Sequence, residues 1–256
     1  GPAPVLVAHG WVDYAHSTSN WAAAQRGWAL TPVRLEVPDG RGGWRTACAD
    51  IGTPAGLPKK MVFDLAGVLP AGARRIRLAT NTAVYWDQFL IGQRRDVPLV
   101  VQTLDPASAD LHWRGYPEHT AINNTFAFRY DYDRLELEAP WSSHAGRFTR
   151  YGPVEKLLDR ADDCYVILSH GDELTLRFDA AALAPPAAGN VRSFMLYSDG
   201  FGKDMDFHSA GSLTVEPLPF HGMTAYPYGA GEAYPTTNAA QEYMETYNTR
   251  ARQGYY

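Results

Sequence analysis

Phe126-Ala127-Phe128-Arg129-Tyr130-Asp131-Tyr132 places a ring at every second residue and sets Arg129 and Asp131 between them. Side chains of a strand point alternately to its two faces, so this spacing predicts a strand with an aromatic face and a mostly polar one. The run continues to Glu138, and the same period recurs along the chain. Val33-Arg34-Leu35-Glu36-Val37, Met61-Val62-Phe63-Asp64-Leu65 and Arg75-Ile76-Arg77-Leu78 alternate in the same way. Further runs lie at Val84–Ile91, Leu99–Leu104, Cys164–Leu168, Leu174–Phe178, Ser193–Ser198 and Ser212–Glu216. Each is short, rich in branched and aromatic residues, and bounded by Gly, Pro, Asn or Asp. About ten strands separated by turn signals predict a mainly β fold, an antiparallel β-sandwich or jelly roll.

Helices are few in this reading. Gly152-Pro153-Val154-Glu155-Lys156-Leu157-Leu158 predicts a short helix near 153–160, with Pro in its first turn. Asn238 followed by Gln241 resembles a capping box and predicts a C-terminal helix from Ala239 to about Thr249, with Tyr243 and Tyr247 on one face. From Glu216 to Pro235 the chain becomes rich in Pro and Tyr, and Pro excludes that stretch from a central strand. The sequence therefore divides into a β-sandwich region, 1–215, and a segment 216–256 with extended and helical parts. A split of the first region into two packed β subdomains would fall near 93–110.

The 256 residues are 45% hydrophobic and 20% charged, enough for a buried core and incompatible with a disordered or fibrous chain. Against 28 Asp+Glu stand 23 Lys+Arg, a net charge of -5. Phosphate binding needs clustered positive charge, so nothing here predicts a nucleic-acid partner. Arg74-Arg75-Ile76-Arg77 reads as the solvated face of a strand. No run of about 18 apolar residues occurs, so no transmembrane helix is predicted. Cys48 and Cys164 are the only cysteines. They are read either as a single long-range disulfide or as two buried thiols.

Motifs for covalent catalysis and phosphate binding are absent: no Gly-x-Ser-x-Gly, no Walker A, no Gly-x-Gly-x-x-Gly and no His-Glu-x-x-His. The expectation is a chain without enzymatic activity. Asp199, Asp204 and Asp206 bring three carboxylates into a Gly-rich turn and form the candidate calcium set, although Lys203 sits among them. The alternative for this turn is local bonding of the Asp side chains, with Lys203 paired to one of them. His208 and His221 flank the strand predicted at Ser212–Glu216, which brings them toward Asp206. Phe220, Tyr226, Tyr228, Tyr234, Tyr243 and Tyr247 concentrate rings in the last segment and form the candidate partner-binding set. The rival for this segment is wrapping over its own domain. Seven tryptophans supply rings for a carbohydrate-binding platform, the second functional reading.

Several blocks match a known pattern in order. They are His9-Gly10-Trp11-Val12-Asp13-Tyr14, Thr80-Asn81-Thr82-Ala83-Val84-Tyr85-Trp86-Asp87, Gly146-Arg147-Phe148-Thr149-Arg150-Tyr151-Gly152, Gly171-Asp172-Glu173, Tyr197-Ser198-Asp199-Gly200-Phe201-Gly202-Lys203-Asp204-Met205-Asp206 and Val215-Glu216-Pro217-Leu218-Pro219-Phe220-His221-Gly222-Met223. Together they resemble the C-terminal region of bacterial FG-GAP repeat proteins with an ASPIC/UnbV segment, often associated with tetratricopeptide repeats. The propeller-forming repeats and their calcium loops are not in this sequence. The resemblance implies an exported, periplasmic or extracellular module without an assigned activity. The expectation is a non-catalytic interaction module, an accessory or structural subunit docking on protein partners in a membrane-associated assembly.

Overall fold

The structure, a computed structural model, describes residues 4–13, 15–55, 58–70, 72–95, 97–121, 128–138, 144–203 and 212–253. The chain is mainly β, with 34% strand and 10% helix, and all its strand pairs are antiparallel among the described residues. Contacts divide it into two compact units, Gly1–Val100 and Val101–Tyr256. Residues 216–253 pack within the second unit instead of forming a body of their own.

The first unit holds β1 (Pro4–Asp13), α1 (Ser17–Gln25), β2 (Arg34–Pro38), β3 (Trp44–Cys48), β4 (Lys59–Asp64), β5 (Arg77–Ala79) and β6 (Ala83–Gln93). They form two three-stranded sheets, ordered β4-β1-β6 and β3-β2-β5. Leu6 from the first sheet and Leu35 and Val37 from the second meet Val33, Ile51 and Leu65 in one core. This is the sandwich arrangement: each sheet turns one apolar face to the other. A bulge between His9 and Gly10 interrupts the β1–β6 register. Gly is required there, because a Cβ on Gly10 would lie 2.7 Å from the Tyr85 carbonyl oxygen and 2.8 Å from the Trp86 ring.

The second unit holds β7 (Ser108–Trp113), β8 (Tyr116–Ala121), β9 (Phe128–Glu136), β10 (Gly146–Phe148), β11 (Gly152–Pro153), β12 (Asp172–Arg177), α2 (Asn238–Thr246) and β13 (Arg250–Arg252). The sheet β11-β7-β12 is joined by the pairs β10–β13 and β8–β9. Ala109 and Leu111 of β7, Phe148 of β10, Val154, Leu157, Val215, Leu218 and Tyr243 of α2 make its core.

Several expected elements take another form. The helix near 153–160 is only a 3-10 turn, Glu155–Leu157, because Pro153 pairs with Asp110 of β7 and keeps the chain extended. The C-terminal helix is capped by Thr237, whose Oγ1 accepts the Ala240 N–H at 3.2 Å, and it stops at Thr246. Cys164–Leu168 is not a strand. Side chains take over its hydrogen bonds: Cys164 N–H donates to Asp162 Oδ1, and Ile167 N–H to the Thr149 hydroxyl. Leu99–Leu104 and Ser193–Ser198 form no strand either. In the opening run, Phe126 and Ala127 lie outside the described residues, while β9 begins at Phe128. Its Phe128, Tyr130 and Tyr132 rings are exposed rather than buried.

Candidate functional site

Proline shapes the segment that carries the site. Pro217, Pro219 and Pro227 cannot donate to a ladder, so the chain from Glu216 to Tyr228 is held by side chains. Tyr226 donates its hydroxyl to the Pro217 carbonyl at 2.8 Å and closes the segment into a loop. Phe220 then meets Tyr228 edge-on at 5.1 Å between centroids, and Tyr228 meets Tyr226 at 6.5 Å. Phe201 arrives from a distant part of the chain and packs on Tyr226 at 4.8 Å. The four rings are partly exposed and lie in one contiguous cluster.

Lys203 fixes the second strand of chain in this cluster. Its ammonium lies 5.5 Å from the Tyr226 centroid and donates to the Ser212 hydroxyl at 2.9 Å, the Glu216 carbonyl at 3.1 Å and the Val215 carbonyl at 3.3 Å. The Thr214 carbonyl also accepts from it. Burial lowers the Lys203 pKa from the ordinary lysine value. Asp204 and Asp206, the nearest carboxylates of its own turn, lie outside the described residues, so the alternative pairing of Lys203 with one of them lies outside them too.

Beside the rings, His221 stands between two carboxylates. Its Nδ1 is 2.9 Å from Asp163 Oδ1, its Nε2 is 3.3 Å from Asp199 Oδ1, and its backbone N–H donates to Asp163 Oδ1 at 2.7 Å. Tyr165 stacks on the imidazole at 5.8 Å with planes 9° apart. A neutral imidazole has one N–H and satisfies one carboxylate; the imidazolium satisfies both. Hydrogen bonds to Asp163 and then Asp199 accordingly raise the His221 pKa above the ordinary value of 6.5. A histidine with a raised pKa adds stability that is fully present below the unfolded value, and this is lost as pH rises through the folded value. Urea unfolding across pH 5–8 is expected to show that decline in the wild type and not in His221→Gln. Equal pH slopes in the two proteins would refute the charged bridge.

The six rings expected to bind a partner separate into two groups. Phe220, Tyr226 and Tyr228 are in the cluster just described. Tyr234, Tyr243 and Tyr247 pack on the unit's own core. Tyr243 is 3% exposed and donates to the Tyr165 carbonyl at 2.7 Å; Tyr234 donates to the Asp163 carbonyl. Tyr247 lies under the Arg150 guanidinium at 5.1 Å. Burial pushes the Tyr234 and Tyr243 hydroxyls well above the usual tyrosine range, so they remain donors.

Of the calcium set, Asp199 faces His221, while Asp204 and Asp206 lie outside the described residues, as does His208. Among the described residues, no group of three His, Cys, Asp or Glu side chains is placed to hold a metal ion. Both cysteines are thiols, and Cys48 donates its S–H toward the Asp50 carbonyl. Sequence reasoning missed Tyr165 and the roles of Asp163 and Phe201. Asp163 had a signal in the Asp162-Asp163 pair, and Phe201 as an aromatic inside a Gly-flanked block. No family model, curated protein or solved structure matches this chain.

Proposed function

We propose that this chain is a non-catalytic extracytoplasmic interaction module, an accessory or structural subunit that docks on a protein partner in a larger membrane-associated assembly. The contact surface is the cluster of Phe201, Phe220, Tyr226 and Tyr228. The observation that carries this reading is the geometry of those rings: three aromatics preassembled on a proline-fixed segment and joined by Phe201 from elsewhere in the chain, each with part of its face in solvent. Aromatic anchors bury large areas at small entropy cost, and preassembly lowers the cost further. The chain that precedes Phe201 in sequence is apolar and exposed as well. Phe194, Met195, Leu196 and Tyr197 are 72%, 95%, 68% and 81% exposed. Contiguous apolar exposure of that kind marks a surface covered in the working state. The extracytoplasmic and membrane-associated setting is supported by the sequence resemblance alone.

The test compares wild type with Tyr228→Ala, each tagged and purified from the native source together with whatever protein co-purifies. The variant is expected to lose about 2 kcal/mol or more of binding, as an interface anchor does. Its own unfolding free energy should change by only about 1 kcal/mol, since Tyr228 lies outside the core. Undiminished co-purification would move the contact away from these rings.

A further inference from the structure

The outer face of the β3-β2-β5 sheet is built around a buried acid. The Glu36 side chain is 7% exposed and accepts from Arg34 Nε at 2.8 Å on its own strand and from Arg77 Nε across on β5. Arg34 and then Arg77 hold the Glu36 carboxyl below the usual carboxylate range, so it stays ionised. Each guanidinium uses Nε inward. Among the described residues its two terminal nitrogens make no other hydrogen bond, and the arginine side chains remain 37% and 49% exposed.

Trp44 joins this arrangement to a cavity. The Arg77 guanidinium lies 4.8 Å from the Trp44 ring centroid and that of Arg75 5.8 Å. Trp44 is the register partner of Pro38. Pro38 and Arg75 in turn line a cavity of about 280 Å³ with Gly40, Pro70, Gly72, Ala73 and Arg74. Neither Arg74 nor Arg75 has a carboxylate partner among the described residues. Four guanidiniums thus stand against two carboxylates, Glu36 and Asp39, and Asp39 Oδ1 already accepts from the Arg41 and Gly43 N–H groups of its own turn, in a chain whose net charge is -5. Solvated arginines need no buried acid to orient them, and here one is present.

We propose that this face binds an oxyanion-bearing ligand. The anionic group, a carboxylate, sulfate or phosphate, is gripped by the outward guanidinium ends of Arg75 and Arg77 beside Trp44, and a compact body occupies the Pro38–Arg75 cavity. The planar guanidinium fork matches such groups bidentately. Glu36 is a positioning residue, since it orients Arg77 without touching the ligand. This site lies in the first unit and does not depend on the docking reading, so either can fail alone.

Titration of the full chain with sulfate, phosphate and glucuronate, followed at the assigned Trp44 indole N–H by NMR, tests the proposal. Saturable shifts are expected with at least one of the three, and none with glucose or with chloride at equal ionic strength. Arg75→Gln, at an exposed position, should weaken binding about tenfold, the loss expected for a hydrogen bond to a charged group. Glu36→Gln separates site from field. It makes the patch more positive, so mere attraction would tighten binding, whereas loss of the oriented fork weakens it. Linear, unsaturated shifts, indifference to Arg75→Gln, or tighter binding by Glu36→Gln would each overturn the proposal. Arg75→Gln keeps the test decisive should Glu36→Gln not fold.

Discussion

Deletion of Glu216–Tyr256 is expected to unfold the second unit. The segment supplies Leu218 and Tyr243, 6% and 3% exposed, to the core that also contains Leu111, Phe148 and Val154. It also supplies the whole of β13, the only strand paired with β10 among the described residues. Asn248 is fully buried and accepts from the Thr149 hydroxyl at 3.2 Å; without it, that hydroxyl loses a partner. Loss of one large core side chain costs about 2–5 kcal/mol, and an unsatisfied buried polar group about 1–3 kcal/mol. Two such side chains, a strand and a polar pair together are comparable to the whole ~5–15 kcal/mol that holds a domain folded. Amide resonances of β7 and β12 should therefore collapse to random-coil positions in the truncated chain. Dispersed resonances with cooperative urea unfolding would instead make the segment a detachable strap. A segment that serves mainly as a docking tail would give that second result, and one that wraps its own domain the first.

The β character was legible because it is local. Val33–Val37, Met61–Leu65 and Leu174–Phe178 alternate and, within a residue or two, are strands β2, β4 and β12. β1 was harder to see, since Val5, Val7 and Trp11 on its outer face are as apolar as Leu6, Ala8 and Val12 on its inner face, which hides the period. α1 was missed for a related reason: it buries no residue, so its sequence carries no apolar stripe. Ser193–Ser198 shows the opposite error. Its residues favour a strand, yet a strand also needs a neighbour, and propensity does not supply one.

The site was legible only in part. Rings at Phe220, Tyr226 and Tyr228 follow from composition, and their clustering follows from the prolines around them. Whether a tyrosine faces solvent or core depends on what the rest of the chain brings to it. Tyr243 is buried because Tyr165 and Phe148 lie where α2 lands, and neither is near it in sequence. His221 meets Asp163 across 58 residues and Asp199 across 22. Glu36 meets Arg77 across 41. No spacing rule for a single segment reaches such pairs, so the imidazole between two carboxylates and the oriented arginines become visible only in the fold.

Arg250→Met is expected to cost the second unit about 3–5 kcal/mol, the usual penalty for removing one partner of a buried ion pair. The Asp172 side chain is fully buried, and Arg250, 16% exposed, donates Nη2 to its Oδ2. The rest of the Asp172 shell is neutral: the Tyr151 hydroxyl donates to Oδ1 at 2.8 Å and the Ser169 N–H to Oδ2 at 2.7 Å. Burial, and then the bond to Asp172, push the Tyr151 hydroxyl up to about 12, so it remains a donor through the neutral range. These two donors do not cancel a full negative charge taken out of water. Methionine keeps the volume and the packing over Phe148, whose centroid is 5.3 Å from the guanidinium, so the loss reports charge more than cavity. A double variant checks that assignment. Asp172→Asn in the Arg250→Met background should restore part of the stability, because the unpaired charge is gone. A deficit made worse by Asp172→Asn would show that Arg250 acts through its aliphatic stem and its bond to the Thr149 carbonyl at 2.9 Å, not through its charge.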